Sequence, residues 1–276
     1  MLAHSVIEPK ADRFMLFLHG ILGTRANWRG IARRFVKARQ GWGAILVDLR
    51  EHGDSLGEPP PHTVAAAAAD VSRLGESLGL RIGGALGHSF GGKVVLEWLR
   101  SRAGQPPESW VIDSTPSRTE IDRGDTATSE VLSVLSTLPR RWASRDAFVS
   151  ALSSAGQPEP IAQWLAMNLT RSDDGARIFG PDLGVIRELL HDYAELDRWE
   201  VVETPPPACT LDFVVGGRSS VLSPADLARL DRAAKSEPRL RVHVIETASH
   251  WVHVDSPDAL VALLTEGFAS PPTDGT

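Results

Sequence analysis

Short apolar runs alternate with helix-spaced apolar positions along the first third of the chain. Residues 14–18, 44–47 and 82–86 are apolar runs of strand length, and 28–38 and 64–78 between them repeat apolar residues at helical spacing. Strands that alternate with helices predict a parallel sheet. The alternation continues with a helix over 92–102, strands at 110–112, 211–215 and 240–245, and helices over 224–234 and 257–268. The pattern predicts a mostly parallel, doubly wound α/β core. Only about a dozen residues precede the strand at 14–18, which leaves room for one strand more.

Between residues 115 and 204 the strand-like runs disappear. Helical spacings such as Phe148 with Leu152, and Trp164 and Leu165 with Asn168 and Leu169, take their place, so the segment reads as an inserted helical cap. The run Thr204-Pro205-Pro206-Pro207 ends it, because prolines fix φ and remove hydrogen-bond donors and so stiffen a connector. The predicted organisation is a core of residues 1–114 and 205–276 with a cap of residues 115–204.

Composition narrows the class of function. The chain has 276 residues, 42% hydrophobic and 23% charged, enough apolar material for a sizeable core. Its net charge of -6 offers no basic field to hold phosphate backbones or anionic lipid, so neither nucleic acid nor membrane is expected as a partner. No window approaches the ~18 apolar residues of a membrane span. A single cysteine, Cys209, sits in an apolar run and reads as a core residue, and a reducing, cytoplasmic setting is expected. The sequence leaves monomer and homodimer open.

Candidate chemistry gathers at the carboxyl ends of the predicted strands. Gly87-His88-Ser89-Phe90-Gly91-Gly92 follows the strand at 82–86 and opens a helix, the context in which G-x-S-x-G marks a nucleophile. A sharp strand-to-helix turn strains Ser89 and exposes its hydroxyl, and it needs small neighbours at Gly87 and Gly91. The turn His19-Gly20-Ile21-Leu22-Gly23 ends an earlier strand at the same edge. An oxyanion there needs two N–H donors: Phe90 supplies one and Ile21 the other, with Leu22 the alternative if the turn is looser. His19 reads as a buried histidine bonded to its loop, and His88 as structural. Of nine histidines only His250 and His253 lie beyond the final strand, and His250, nearer its tip, is the candidate general base, His253 reading as a surface or helix-entry residue.

The acid has two readings. The loop after the strand at 211–215 has no carboxylate, Asp226 falls inside a helix, and Asp212 lies at the far end of its strand. Asp113 ends the strand at 110–112, which should pair beside the nucleophile's strand, and from there it reaches the imidazole. Alternatively it only caps the turn Asp113-Ser114-Thr115-Pro116. Ser219 is placed to add a hydroxyl to the same network.

These residues resemble the α/β-hydrolase superfamily, and within it the bacterial and mitochondrial acyl-esterase branch. Asp48-Leu49-Arg50-Glu51-His52-Gly53-Asp54-Ser55 looks like that branch's aspartate-arginine-x-histidine-glycine turn, and Val111-Ile112-Asp113-Ser114-Thr115-Pro116 like its acid-bearing segment. Gly87 to Gly92 with Lys93, the segment 161–169 and Gly216-Gly217-Arg218-Ser219 are also similar to it. Ser249 stands where the family usually has glycine. The resemblance implies an α/β-hydrolase fold and a Ser89-His250-Asp113 triad that cleaves esters or thioesters of short to medium acyl chains, and it favours Asp113 as the acid. The substrate class expected is a small-molecule ester or acyl thioester. Carbon-carbon bond hydrolysis, lyase or perhydrolase chemistry, or a receptor that keeps its triad, are the rival functions on this scaffold. No metal or cofactor is expected, since neither a ligand cluster nor a phosphate-binding glycine motif is present. Leu22, Trp142, Trp164 and Met167 are the candidate substrate contacts. Arg118, Arg140, Arg141 and Arg145 near the insertion are candidates to meet a phosphate or coenzyme A tail.

Overall fold

A computed structural model describes residues 1–101, 108–119, 126–207 and 209–266. The chain runs β1 (His4–Ile7), β2 (Arg13–Leu18), α1 (Arg29–Ala38), β3 (Trp42–Val47), α2 (Val64–Leu78), β4 (Ile82–His88), α3 (Phe90–Ser101) and β5 (Glu108–Ile112). A long excursion follows: α4 (Thr126–Thr137), β6 (Arg141–Trp142), α5 (Arg145–Ser154), α6 (Glu159–Leu165), β7 (Leu169–Arg171), β8 (Arg177–Phe179), α7 (Leu183–Glu195) and α8 (Trp199–Glu203). The sheet then resumes with β9 (Leu211–Gly216), α9 (Pro224–Ser236), β10 (Leu240–Ile245), α10 (Val252–Asp255) and α11 (Pro257–Glu266).

The main sheet has seven strands in the order β1-β3-β2-β4-β5-β9-β10, all parallel except β1, which pairs antiparallel with β3. Side chains alternate across a strand, so each central strand feeds two cores. Leu16, Leu18, Ile45 and Val47 pack on one face with Val71 of α2 and Val94 of α3. Met15, Phe17, Ala44 and Leu46 pack on the other with Phe35 of α1 and Leu264 of α11. Helices on both faces make this the doubly wound sheet that the alternation predicts. The one strand that the short N-terminus has room for is β1.

Local chemistry sets the element ends. Thr63 accepts the Ala66 N–H at 3.1 Å to start α2, and Gly79 closes it with a left-handed φ of 61°. The helix after Ser89 begins at Phe90, two residues before the predicted start, because the turn from β4 takes one residue only. Arg102, at the predicted end of that helix, and residues 267–268 of the last helix lie outside the described residues.

The excursion differs from the all-helical expectation. It contains a three-stranded antiparallel sheet, β6-β8-β7, whose strands are two or three residues long and too short to leave a periodic signal. Among the described residues no helix is long and apolar enough to cross a membrane.

Register positions the functional edge. Leu18 pairs with Gly87, His88 with Ile112, Ile112 with Val214, and Gly216 with Ile245. The carboxyl ends of β2, β4, β5, β9 and β10 therefore finish level, and the residues just beyond them share one crevice, where open α/β sheets bind ligands.

Candidate active site

Ser89 is the single residue between β4 and α3, with φ at 51°. That left-handed conformation is costly for a side-chain-bearing residue and is held by two bonds: the Ser89 N–H donates to Ile112 O at 3.0 Å, and the Gly92 N–H donates to Ser89 O at 2.8 Å. The turn is so tight that a Cβ at Gly87 would lie 2.1 Å from Gly91 O, and one at Gly91 would lie 2.6 Å from His19 O. These two positions need glycine.

Asp113 caps β5 and also takes a left-handed φ, 44°. It is fully buried, and both carboxylate oxygens are used. Oδ1 accepts the Gly216 N–H at 3.0 Å, while Oδ2 accepts the Ser219 hydroxyl at 2.5 Å and His250 Nδ1–H at 2.7 Å. With Nδ1 committed to the carboxylate, Nε2 of His250 carries the free lone pair. His250 and Ser89 line the same cavity of about 1000 Å³.

The His19-Gly20 turn packs against Ser89: a Cβ at Gly20 would lie 3.3 Å from Ser89 Cβ. The Leu22 N–H donates to His52 Nε2 at 2.9 Å and the Gly23 N–H to Gly20 O at 3.0 Å, whereas the Ile21 N–H has no acceptor among the described residues. Phe90, in the first turn of α3, has an N–H without an intrahelical partner. Leu22 is thereby removed as an alternative donor.

Three histidines around this edge have structural roles, expected for His19 and His88 and not specified by the sequence for His52. His52 donates from Nδ1 to Arg50 O at 2.8 Å and accepts from Leu22; His19 donates from Nδ1 to Gly20 O at 2.7 Å and accepts the Leu49 N–H at 3.0 Å. Both brace the turn that carries Ile21. His88 donates from Nε2 to His250 O at 2.8 Å, which fixes the main chain of the candidate base. The G-H-S and aspartate-arginine-x-histidine-glycine motifs contained these residues, but spacing alone does not say which carbonyl each ring meets. His253 opens α10 as expected but is no surface residue, since its ring packs on Trp28 at 4.8 Å and His88 at 5.0 Å.

Burial pushes the His19 imidazole down to about 4, and burial together with nearby His19 pushes His52 to about 3. Each ring binds a proton more weakly folded than unfolded, so its stabilising contribution is complete above about 6.5 and is lost as pH falls from there through the folded values. The Tm is expected to drop between pH 6.5 and 4.5, and to drop less in His52→Gln, whose amide oxygen accepts the Leu22 N–H without titrating. Equal slopes in a calorimetric pH series would sink this account.

Lys93 of α3 is buried, and Nζ donates to Ser117 O at 2.9 Å, Tyr193 O at 2.8 Å and Leu196 O at 3.0 Å. Burial pushes its pKa down to about 7. Among the described residues no group of three or more His, Cys, Asp or Glu side chains could hold a metal ion.

The expected substrate contacts need correction. Leu22, Trp142, Trp164 and Met167 do not line the cavity. Leu22 is buried in the core, Trp142 packs edge-on to Phe148 at 5.3 Å, Trp164 packs on Trp251 at 4.7 Å, and Met167 is exposed with Sδ 3.6 Å from Asn27 Nδ2. Trp142 closes a small aromatic core of the excursion with Phe148, and Trp164 joins the excursion to Trp251 beyond β10. Of the four arginines near the insertion, only Arg118 lines the cavity; Arg140 reaches the carbonyls of Phe179 and Gly180, Arg141 pairs with Asp174, and Arg145 bonds Gln163.

Residues 15–263 match the model of the family described as Alpha/beta hydrolase family. The chain belongs to this family. Among curated α/β-hydrolase relatives, it is 28% identical over 271 residues to sn-1-specific diacylglycerol lipase ABHD11 of Danio rerio, covering 96% of this chain and 81% of that one. Esterase YbfF of Escherichia coli (strain K12) is 27% identical over 249 residues, covering 90% of this chain and 89% of that one. The α/β-hydrolase fold recurs in a solved marine microorganism esterase, with a TM-score of 0.81 over 97% of this chain and 99% of that one at 19% identity.

Proposed function

We propose that the protein is a carboxylic ester or thioester hydrolase in which Ser89 is the nucleophile, His250 the general base and Asp113 the orienting acid. The observation that carries this reading is the 2.7 Å bond from His250 Nδ1 to a buried Asp113, with Ser89 strained on its turn and facing the same cavity. The esterase and lipase relatives support ester chemistry. His250 Nε2 takes the Ser89 Oγ proton as Oγ attacks the carbonyl carbon, and the N–H groups of Ile21 and Phe90 hold the resulting oxyanion. The C–O or C–S bond then breaks, and the leaving alcohol or thiol takes the proton from His250. Water, deprotonated by His250, repeats the cycle on the acyl-serine and releases the acid. Asp113 holds the reactive tautomer and stabilises the imidazolium, and Ser219 holds Asp113.

In this reading the excursion is a cap over the site, and the substrate is a small-molecule ester or thioester met in a reducing, cytoplasmic setting, where Cys209 stays a buried thiol. A serine-reactive aryl phosphonate should form a stoichiometric adduct with loss of its leaving group, and tandem mass spectrometry should place it on the peptide bearing Ser89. An adduct on another serine, or none, sinks the assignment.

A further inference from the structure

The lining of the large cavity mixes apolar side chains with many hydroxyls and two arginines. Ile21, Phe90, Leu132, Leu190, Tyr193 and Val221 supply apolar surface, but hydroxyls dominate the rest. Thr115, Ser117 and Thr119 contribute from the segment after β5, and Ser129, Ser133 and Ser136 from α4. The α4 serines fall at i, i+4 and i+7, one face of the helix, so α4 turns a hydroxyl face with Leu132 toward the cavity where an acyl-chain site would present an apolar stripe.

Charge adds direction. Arg118 and Arg187 both line this cavity and both are exposed, and neither has an acidic partner among the described residues. Among the described residues, Arg187 reaches only the carbonyls of Leu183 and Leu132, at 3.4 and 3.5 Å. In a chain with 35 acidic against 29 basic side chains, arginines elsewhere find carboxylates readily, as Arg50 does with Asp70, Arg198 with Glu97 and Arg229 with Glu203. His191 follows Arg187 by one helical turn on α7 and lines the same wall. The one carboxylate among the described lining residues, Asp226, is occupied: it accepts from the Ser223 hydroxyl at 2.8 Å and from Ser117.

We infer that the ester substrate carries an oxyanion, a carboxylate or a phosphate, which Arg118 and Arg187 bind while the ester carbonyl lies at Ser89. Guanidinium forks match both oxyanions, and the hydroxyl face of α4 suits a polar chain between the two ends. This inference rests on the hydrolase reading above and adds the substrate class to it.

Two substrate pairs test it and locate the charge. Mono-4-nitrophenyl glutarate against its methyl-capped ester places a carboxylate on the acyl side; 1-butyrylglycerol 3-phosphate against 1-butyrylglycerol places a phosphate on the alcohol side. In at least one pair the anionic member should have a kcat/KM higher by roughly tenfold or more, and R118Q/R187Q should collapse that ratio to near one. Whichever pair responds identifies the part of the substrate that carries the charge. A neutral member used equally well in both pairs, or a preference that survives in R118Q/R187Q, overturns the inference. Glutarate alone provides a readout independent of turnover: it should raise the Tm of the wild-type chain and not that of R118Q/R187Q. A glutarate shift that depends on the arginines without hydrolysis of any ester leaves the anion site standing and removes the hydrolase reading; neither shift nor hydrolysis removes both.

Discussion

Ser89→Ala is expected to lower kcat on 4-nitrophenyl butyrate by roughly three orders of magnitude or more, the scale seen when a triad nucleophile is removed while the oxyanion donors remain. The fold should be untouched, because alanine keeps the Cβ and the bonds holding the turn are main-chain: Ser89 N–H to Ile112 O and Gly92 N–H to Ser89 O. A companion substitution separates chemistry from strain. Ser89 holds a φ of 51°, which costs a residue with a Cβ about 1 kcal/mol and costs glycine almost nothing. Ser89→Gly should therefore be as inactive as Ser89→Ala and yet melt no lower, about one degree higher once the extra freedom of glycine in the unfolded chain is subtracted. Full activity in Ser89→Ala removes the nucleophile assignment, and a lower Tm in Ser89→Gly than in Ser89→Ala removes the claim that the turn stores strain.

Asp113→Asn is expected to reduce kcat by about four orders of magnitude with a much smaller change in KM. The asparagine oxygen can still accept from Gly216, but its amide then takes the place of Oδ2 and presents N–H to His250 Nδ1 and to the Ser219 hydroxyl. The imidazole must switch tautomer, and Nε2 becomes protonated and unable to take the Ser89 proton. Ser219→Ala removes one bond to the same carboxylate and should cost far less, about tenfold. Asp226→Asn is the control for the rival carboxylate: Asp226 forms the capping box of α9 with Ser223, so its loss should register chiefly in Tm. Stopped turnover in Asp226→Asn beside a healthy Asp113→Asn would transfer the acid's role.

The sheet was legible because its central strands are buried on both faces and read as continuous apolar runs, and the Ser89 turn because its glycines and serine have few other reasons to fall between a strand and a helix. Elimination along the strand tips picked Asp113 as the candidate acid, and the register of β5 against β4 and β9 brings that tip level with the others. The cavity was not legible. Its walls come from α4, α7 and the segment after β5, brought together by packing across the excursion, and its serines carry no periodic signature that separates a lining hydroxyl from a solvated one. Aromatic residues drew attention because they are large, and size favours the interior of a small core over a polar wall. The short strands β6, β7 and β8 escaped notice for the opposite reason, being too brief for any period to show.

The ammonium of Lys93 ties two parts of the molecule that differ in origin along the chain. It rises from the helix that follows Ser89 and ends on three carbonyls, of Ser117, Tyr193 and Leu196, that all belong to the excursion between β5 and β9. The excursion is therefore not an interchangeable module. Trimming it leaves a buried amine without its three acceptors unless position 93 is changed at the same time.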